Sequence, residues 1–456
     1  MDINTLRRLI QKYDRPGPRY TSYPTANHFK PVEDPAPLIE EAAETPGPHS
    51  LYFHLPFCET LCWFCGCFTV ITKDRSRASN YLDALSAEAE LFRELRGSRA
   101  RINQLHFGGG TPNFLDPGQI DRLGHLIQDN FELLPDAECS VELAPLHLTP
   151  DHLAAFRSIG CTRASFGVQD VEPAVQAAIN RRQPPALNRQ TVTWLRDSGF
   201  HSINIDLMYG LPHQTTETFD RTLDSVLALE PDRLAIFNYA HIPWMRPAQK
   251  MLEKAGLPSP EAKLSILLRM VERLTDAGFE YIGMDHFARP DDELAQARKN
   301  GTLQRNFQGY STRAGLDILA FGVSAISQTS LAYRQNTKNL SRYASAISTG
   351  EFPIEAACVL TEQDRIRRHL IQRLMCDLRI DTHTILQPFK TSFEAQMGDW
   401  RELLAEFLDD GLVAQGDEPG SFVVTPIGRY FLRNLAMVFD AHLSPAENTN
   451  RFSRTV

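Results

Sequence analysis

Four cysteines fall within ten residues, in Cys58-Glu59-Thr60-Leu61-Cys62-Trp63-Phe64-Cys65-Gly66-Cys67. The first three are spaced C-x3-C-x2-C, and the fourth follows two residues later. No other feature restricts the chain as much. Sulfur ligands this close must share a tight loop, and they suit a polynuclear iron site. Thiolates are the usual ligands of iron–sulfur clusters, and four normally close one. Three can bind three irons of a four-iron cluster and leave the last open to a small molecule. A structural zinc site more often uses two separated C-x2-C knuckles, or cysteine with histidine. The remaining cysteines, Cys139, Cys161, Cys358 and Cys376, are isolated and supply no second knuckle. A disulfide framework does not suit a chain this long with eight cysteines. Inert burial accounts for one or two cysteines, not four in ten residues. An iron–sulfur site is the leading reading, zinc the second, and a structural role the third.

The length of 456 residues allows two or three domains. A hydrophobic content of 42% with 23% charge is that of a soluble globular protein. The net charge of −9 disfavours a nucleic-acid or anionic-membrane surface. It leaves room for a local basic pocket that receives an acidic small molecule. No run of about 18 apolar residues occurs, so no membrane span is expected. The start, Met1-Asp2-Ile3-Asn4, lacks an apolar core of signal-peptide type. Clustered cysteines that must stay reduced point to the cytoplasm.

Residues 1–50 are rich in proline and polar groups, and the run Tyr13 to Pro24 cannot be regular helix. They read as an extended arm, and their aromatic residues argue that it packs on something. The stretch 51–56 is then a short buried strand that delivers the chain to the cysteine loop. Helical spacing follows over 79–95. From there strands at 104–107, 138–143, 163–168, 203–208 and 233–239 alternate with helices at 120–131, 153–159, 186–198 and 216–229. Gly160 is the expected C-cap of the helix at 153–159. Six strands with intervening helices predict an α/β fold with a parallel sheet, closing as a partial (βα)6 TIM-like barrel. The barrel and its extension span 51–355. A helix at 258–278 and a strand and loop at 281–290 follow, and 306–327 reads as irregular apart from 318–321. The last part, 356–456, reads as a mainly helical, winged-helix-like domain with helices at 361–376 and 400–410 and strands near 412–413 and 422–424.

The C-terminal ends of parallel barrel strands are where sites form. The cysteine loop, Gly108-Gly109-Gly110, Glu142, Gln169, Asp206 and Tyr239 all fall there. The glycine run allows close approach to the backbone, or is a flexible turn. It is not a P-loop, since no Gly-Lys-Ser/Thr follows. Glu142 and Asp206 are either ligand contacts or loop anchors. Arg181 reads as readily as a solvated charge. Asp285 and His286 form either an acid–base pair or a loop-stabilising hydrogen bond.

These motifs carry a resemblance. The C-x3-C-x2-C loop after a barrel-entry strand, followed by Gly109-Gly110-Thr111-Pro112, resembles the radical S-adenosylmethionine (SAM) enzymes. More narrowly, the chain resembles the oxygen-independent coproporphyrinogen III dehydrogenases (oxidases) of anaerobic haem synthesis. Tyr20-Thr21-Ser22-Tyr23-Pro24-Thr25-Ala26, Gly167-Val168-Gln169-Asp170, Asn204 to Pro212, Met284 to Pro290 and Asn306-Phe307-Gln308-Gly309-Tyr310 carry that narrower match. The resemblance implies that Cys58, Cys62 and Cys65 hold a [4Fe–4S] cluster and that Cys67 does not ligate. It implies two molecules of SAM and a 5′-deoxyadenosyl radical. Tyr52, Gly109 and Glu142 match contacts to the first SAM. Phe64, Gly110, Thr111, Gln169, Arg181 and Asp206 match contacts to the second, and Ala240 and Ile326 match further cofactor contacts. It implies that two propionates of coproporphyrinogen III become vinyl groups, giving protoporphyrinogen IX. The substrate's carboxylates give a reason for local arginines. The expected partners are the porphyrinogen, an external one-electron reductant and an electron acceptor, with no nucleic acid, and the expected state is a monomer.

The chain also departs from the family pattern. Glu142-Leu143-Ala144-Pro145-Leu146 stands where the family has Glu-x-Asp-Pro-Arg, so an acidic and a basic side chain have become apolar. Phe68 replaces a common polar residue, and Ala320 a common glycine. A changed pocket floor at Ala144 and Leu146 leaves open a relative acting on another substrate, by C-methylation or cyclopropanation. A non-catalytic haem-binding or haem-transfer protein is the third reading.

Overall fold

The computed structural model describes residues 3–443 and 452–455. Its centre is six parallel strands in chain order: β1 (His49–Leu55), β2 (Ala100–Gly109), β3 (Phe131–Leu143), β4 (Arg163–Gln169), β5 (Ser202–Tyr209) and β6 (Arg233–Asn238). Helices α1 (Ser76–Arg96), α2 (Pro117–Asn130), α3 (Pro150–Ile159), α4 (Pro185–Asp197) and α5 (Thr216–Leu227) lie between them. Their ends are written locally. Asp116 and Gln119 close a capping box at the start of α2, and Thr149 caps α3. Gly160 ends α3 at φ 109°, the left-handed position expected of it.

A seventh parallel strand, Ile318–Phe321, lies on the far side of β1, and antiparallel strands extend the sheet at both ends to thirteen. The two outermost strands, Lys30–Pro31 and Glu280–Gly283, stand at opposite ends of the order, so the barrel is partial. Strand alternation separates two faces. Leu51, Phe53, Leu105, Phe107, Val141, Phe166, Ile203, Ile205 and Ile236 point towards the helices and form the main core. The opposite face is polar: Ser50, Gln104 and Glu138 bond to one another, as do His106, Ser140 and Glu142, and Ser165, Asn204 and Asp206.

The N-terminal stretch is less extended than expected. Ile3–Tyr13 and Ala36–Glu44 are helices bracketing the proline-rich run. Leu6, Leu9, Ile10 and Tyr13 repeat at i, i+3, i+4 and i+7, which makes the first helix amphipathic. They are buried in a second core with Ile366, Leu370, Phe407, Phe431 and Leu435. Tyr13 stacks on Phe407 at 5.1 Å, and its hydroxyl donates to Asp410 Oδ2 at 2.7 Å. The stretch 306–327, read as irregular apart from 318–321, overlaps a hairpin, Gln304–Asn306 with Gly309–Ser311, and the strand Ile326–Gln328. Beyond residue 360 come the helix Glu362–Asp377 and a three-stranded antiparallel sheet of Arg379–Asp381, Ser421–Val424 and Val413–Gln415. The helix expected over 400–410 is broken at Leu404 into two short pieces. Among the described residues, no helix is long and apolar enough to cross a membrane.

Candidate active site

The cysteine loop leaves β1 at Pro56 and is clamped through its backbone. Trp63 N–H donates to Ile179 O at 3.1 Å, Asn180 Nδ2 to Leu61 O at 2.9 Å, and Arg246 to Gly66 O. Gln249, 1% exposed, donates to Phe64 O and Ala240 O at 3.1 and 3.2 Å, which brings those two residues together. The loop's conformation is thus held by groups more than a hundred residues downstream.

Its thiols are free and partly exposed, whereas Cys139, Cys161 and Cys376 are buried elsewhere. Cys58 Sγ lies 3.3 Å from Thr111 Oγ1, and Arg181 Nη1 donates to Cys62 Sγ at 3.7 Å. Burial pushes the Cys58 thiol up to about 11. A hydrogen bond from Cys67, with the Arg246 and Arg181 charges behind it, pulls the Cys65 thiol down from its usual range. Among the described residues, no three Cys, His, Asp or Glu side chains close on a single-ion point. A cuboidal cluster asks for a wider spread, which a C-x3-C-x2-C loop beside two arginines suits.

The three glycines at the end of β2 are set by packing and are not a flexible turn. A Cβ on Gly108 would meet Glu142 Oε2 at 2.9 Å, one on Gly109 the His54 ring at 2.5 Å, and one on Gly110 the Pro56 carbonyl carbon at 2.6 Å. Gly110 N–H donates to Leu55 O and Thr111 N–H to Phe57 O, stitching this turn to the strand that carries Cys58.

Glu142 accepts from Gly109 N–H at 3.1 Å and lies 3.3 Å from His106 Nε2. Burial alone would raise its carboxyl, but His106 and the Gly109 amide hold it below the usual range. Tyr52 stacks on His106 at 5.8 Å, and its hydroxyl is 3.0 Å from His54 Nδ1. Two strands away, burial and then the Glu142 charge push Asp206 up to about 7, although Asn204 and Ser165 donate to it. Two carboxyls on one rim therefore titrate far apart, which gives them different roles near neutral pH.

Arg181 is no solvated charge: besides Cys62 it donates to Gly167 O at 2.7 Å and to Gln183 Oε1 at 3.2 Å. Gln169 sits at φ 67° on a register shift in β4, and its buried Oε1 has no partner. Such strained, unsatisfied groups gather at ligand sites. Ile326 is placed less centrally, one residue beyond Ala325, which belongs with Ile318 and Ala320 to a small cluster that Tyr52 packs against.

Three readings change. Asp285 and His286 are not an acid–base pair: Asp285 Oδ2 lies 3.5 Å from Arg19 Nη1, while the His286 ring packs edge-on against Phe237 and Tyr310. Leu146 is 49% exposed, and Asn113 pairs both the N–H and the O of Ala144 at 2.9 Å. The substitutions there strip charge from the surface near Glu142 and do not form a pocket floor. His54, His106, Asn180, Arg246 and Gln249 were missed. The two histidines carry a signal in alternation, since they share a face with Tyr52 and Gly108. The other three act through loop carbonyls and leave no pattern.

Residues 52–226 match the Radical SAM superfamily. The chain is 44% identical over 449 residues, 98% of each chain, to an oxygen-independent coproporphyrinogen III oxidase of Salmonella typhimurium. It is 41% identical to a protein of the same name from Synechocystis sp., over 98% of this chain and 97% of the relative. A solved structure of coproporphyrinogen III oxidase from Escherichia coli, described as a radical SAM enzyme, matches with a TM-score of 0.89 at 42% identity. The match covers 96% of this chain and 99% of that one.

Proposed function

Because the chain belongs to the oxygen-independent coproporphyrinogen III oxidases of the radical SAM superfamily, we propose that it converts two propionates of coproporphyrinogen III to vinyl groups, giving protoporphyrinogen IX. Each conversion removes one hydrogen atom, one carbon dioxide and one electron, and the electron passes to an external acceptor. The observation that carries this reading is the convergence of one rim: the cysteine loop, the packed glycine turn, Glu142 and Asp206 all stand at the C-terminal ends of β1, β2, β3 and β5.

Cys58, Cys62 and Cys65 would hold a [4Fe–4S] cluster. When bound, the cluster and SAM supply the one-electron chemistry, and the protein positions and shields it. The chain's own residues do the positioning. Arg181 sets a positive charge beside Cys62. Glu142, held ionised by His106 and the Gly109 amide, offers a carboxylate to the cationic part of a first SAM, beside the Tyr52 ring. Asp206, half-buried and near neutrality in its titration, offers hydrogen bonds to a second SAM, together with the free Gln169 oxygen. The separation of these two groups, on β1–β3 and on β4–β5, supports two molecules. We assign Phe64, Gly110, Thr111 and Ala240 to the same walls, with Ile326 at the side. The protein is proposed to work as a monomer in the cytoplasm with an external one-electron reductant.

The test is anaerobic. The cluster is reconstituted and reduced, and SAM and coproporphyrinogen III are added. Chromatography and mass spectrometry then follow 5′-deoxyadenosine and the two-vinyl product. Both should form together, and deoxyadenosine without the vinyl product would overturn the substrate.

A further inference from the structure

The basic pocket foreseen from the substrate's carboxylates has a specific candidate. We propose that Arg305, with Arg19 beside it, receives a propionate carboxylate of the porphyrinogen; the inference rests on the function proposed above. Among the described residues four arginines are buried: Arg163, Arg305, Arg334 and Arg433. Three are satisfied. Arg163 pairs with Glu138 and Glu293, Arg334 with Leu38 O and Glu41, and Arg433 gathers the carbonyls of Gly17, Pro18 and Arg454. Arg305 is the exception. It is 3% exposed, and neither Nε nor Nη1 has a hydrogen-bond partner. Only Nη2 donates, to Arg19 O at a long 3.4 Å, and the guanidinium lies 4.9 Å over the Tyr310 ring. Among the described residues it forms no ion pair. A buried charge without a counter-ion is costly, and an unsatisfied buried donor calls for a partner.

Its surroundings are of the same kind. His286 Nδ1, Gln308 Nε2, Asn238 Oδ1 and Asp285 Oδ2 are also buried without hydrogen bonds. Burial, and then the Arg305 charge, push His286 down to about 3, so it stays a neutral ring and adds no second charge. Arg19 brings the group to the rim. Its Nη2 donates at 2.6 Å to the carbonyl of Asn238, the last residue of β6. Its side chain lines a small cavity of about 40 Å³ with Tyr209, Asn238 and Asp285. An uncompensated arginine over the Tyr310 ring, joined through Arg19 to the rim, fits the carboxylate of a substrate side chain.

The test uses cluster-loaded enzyme with coproporphyrinogen III and no reductant, so that nothing turns over. Anaerobic equilibrium dialysis gives the Kd for wild type, Arg305→Met and Arg19→Met, and the Kd for SAM in the same samples. The tetramethyl ester of the porphyrinogen is the second probe. Losing a charge-assisted hydrogen bond predicts about tenfold to a hundredfold weaker binding for R305M. A smaller loss is expected for R19M, and SAM affinity should stay within about twofold. The ester should bind wild type about as weakly as the acid binds R305M, and it should not respond to the substitution. Equal affinity of R305M and wild type overturns the site, as does ester binding as tight as acid, or a loss confined to SAM. If R305M does not fold, R19M and the ester on wild type decide alone. Wild type with no affinity for the porphyrinogen overturns the proposed function itself, and this site with it.

Discussion

Glu88 offers the sharpest test of how the fold holds its site. It lies on α1 and is 3% exposed. Its carboxyl accepts from Gly322 N–H at 2.7 Å, Tyr343 OH at 2.7 Å and Asn336 Nδ2 at 2.6 Å. Asn336 Nδ2 also donates to Gly322 O, and Tyr81 OH links Val323 N–H to His54 O. One carboxyl thus fixes the stretch leading to Ile326 and, through Tyr81, the strand that enters the cysteine loop. Burial pushes Glu88 from 4.5 up to about 7, against those three donors. In the pH window between those values the folded chain holds a proton that the unfolded chain has released. Stability must then fall as pH rises through the window. At about 1.36 kcal/mol per pH unit, wild type should lose about 2.5 kcal/mol from this group between pH 5 and pH 8.

Glu88→Gln removes the titration. Urea unfolding of wild type and E88Q at both pH values isolates it, because every other group cancels in the difference. The wild-type advantage should shrink by about 2.5 kcal/mol from pH 5 to pH 8. An advantage that is constant within about 0.5 kcal/mol, or one that grows with pH, would refute the reasoning: the three donors would then keep Glu88 ionised throughout.

Gly110→Ala should push the glycine turn off the Pro56 carbonyl, costing about 1–3 kcal/mol of stability by overpacking. Iron content after reconstitution should fall with it. Cys67→Ser should keep the four-iron absorption and electron spin resonance signals and Cys62→Ser should lose them; equal loss in both would contradict the three-ligand assignment. Asp206→Asn should weaken SAM binding about tenfold at pH 8. It should also abolish the change in that affinity around pH 7, where the wild-type carboxyl ionises; a pH dependence surviving in D206N would assign it to another group.

What was legible in the sequence was what repeats locally or sits in one run. The cysteine loop declares itself by spacing, and the strands of the barrel by alternation. Gly160 declares the end of α3, since a left-handed residue there favours glycine. The contacts that hold the site were not legible. Gln249 reaches back to Phe64 O, and Asn180 to Leu61 O, across stretches with no periodic relation. The helix at Ile3–Tyr13 had a readable apolar stripe, but the prolines after it drew the boundary of the arm too early. Leu146 shows the limit of reading a motif position by position. Its place four residues from Glu142 suggested a pocket floor, whereas its side chain is half exposed.

The inner face of the sheet explains why chemistry and stability occupy opposite ends of the barrel. Every central strand places its apolar side chains against the helices, so the core does not need the interior. The interior is free to be polar, and it is layered. At the N-terminal end Ser50, Gln104 and Glu138 meet Arg163, which also binds Glu293, and Arg233 pairs with Asp292 at 2.8 Å. Burial would raise Glu138, but the charges of Arg163 and Arg233 hold it below the usual range. The hairpin joins this floor through Ser311 and Thr312, which bond to Gln104 and Glu138. Ion pairs dominate there, although Arg233 Nη2 keeps no hydrogen-bond partner, and they close this end of the barrel. Towards the C-terminal ends of the strands the character changes. Gln169 has an unpartnered oxygen, His286 and Gln308 have unpartnered nitrogens on the flanking segments, and Glu142 and Asp206 titrate far apart. Two carboxyls that titrate far apart beside a strained, unpartnered glutamine mark the C-terminal end as the one at which the barrel binds.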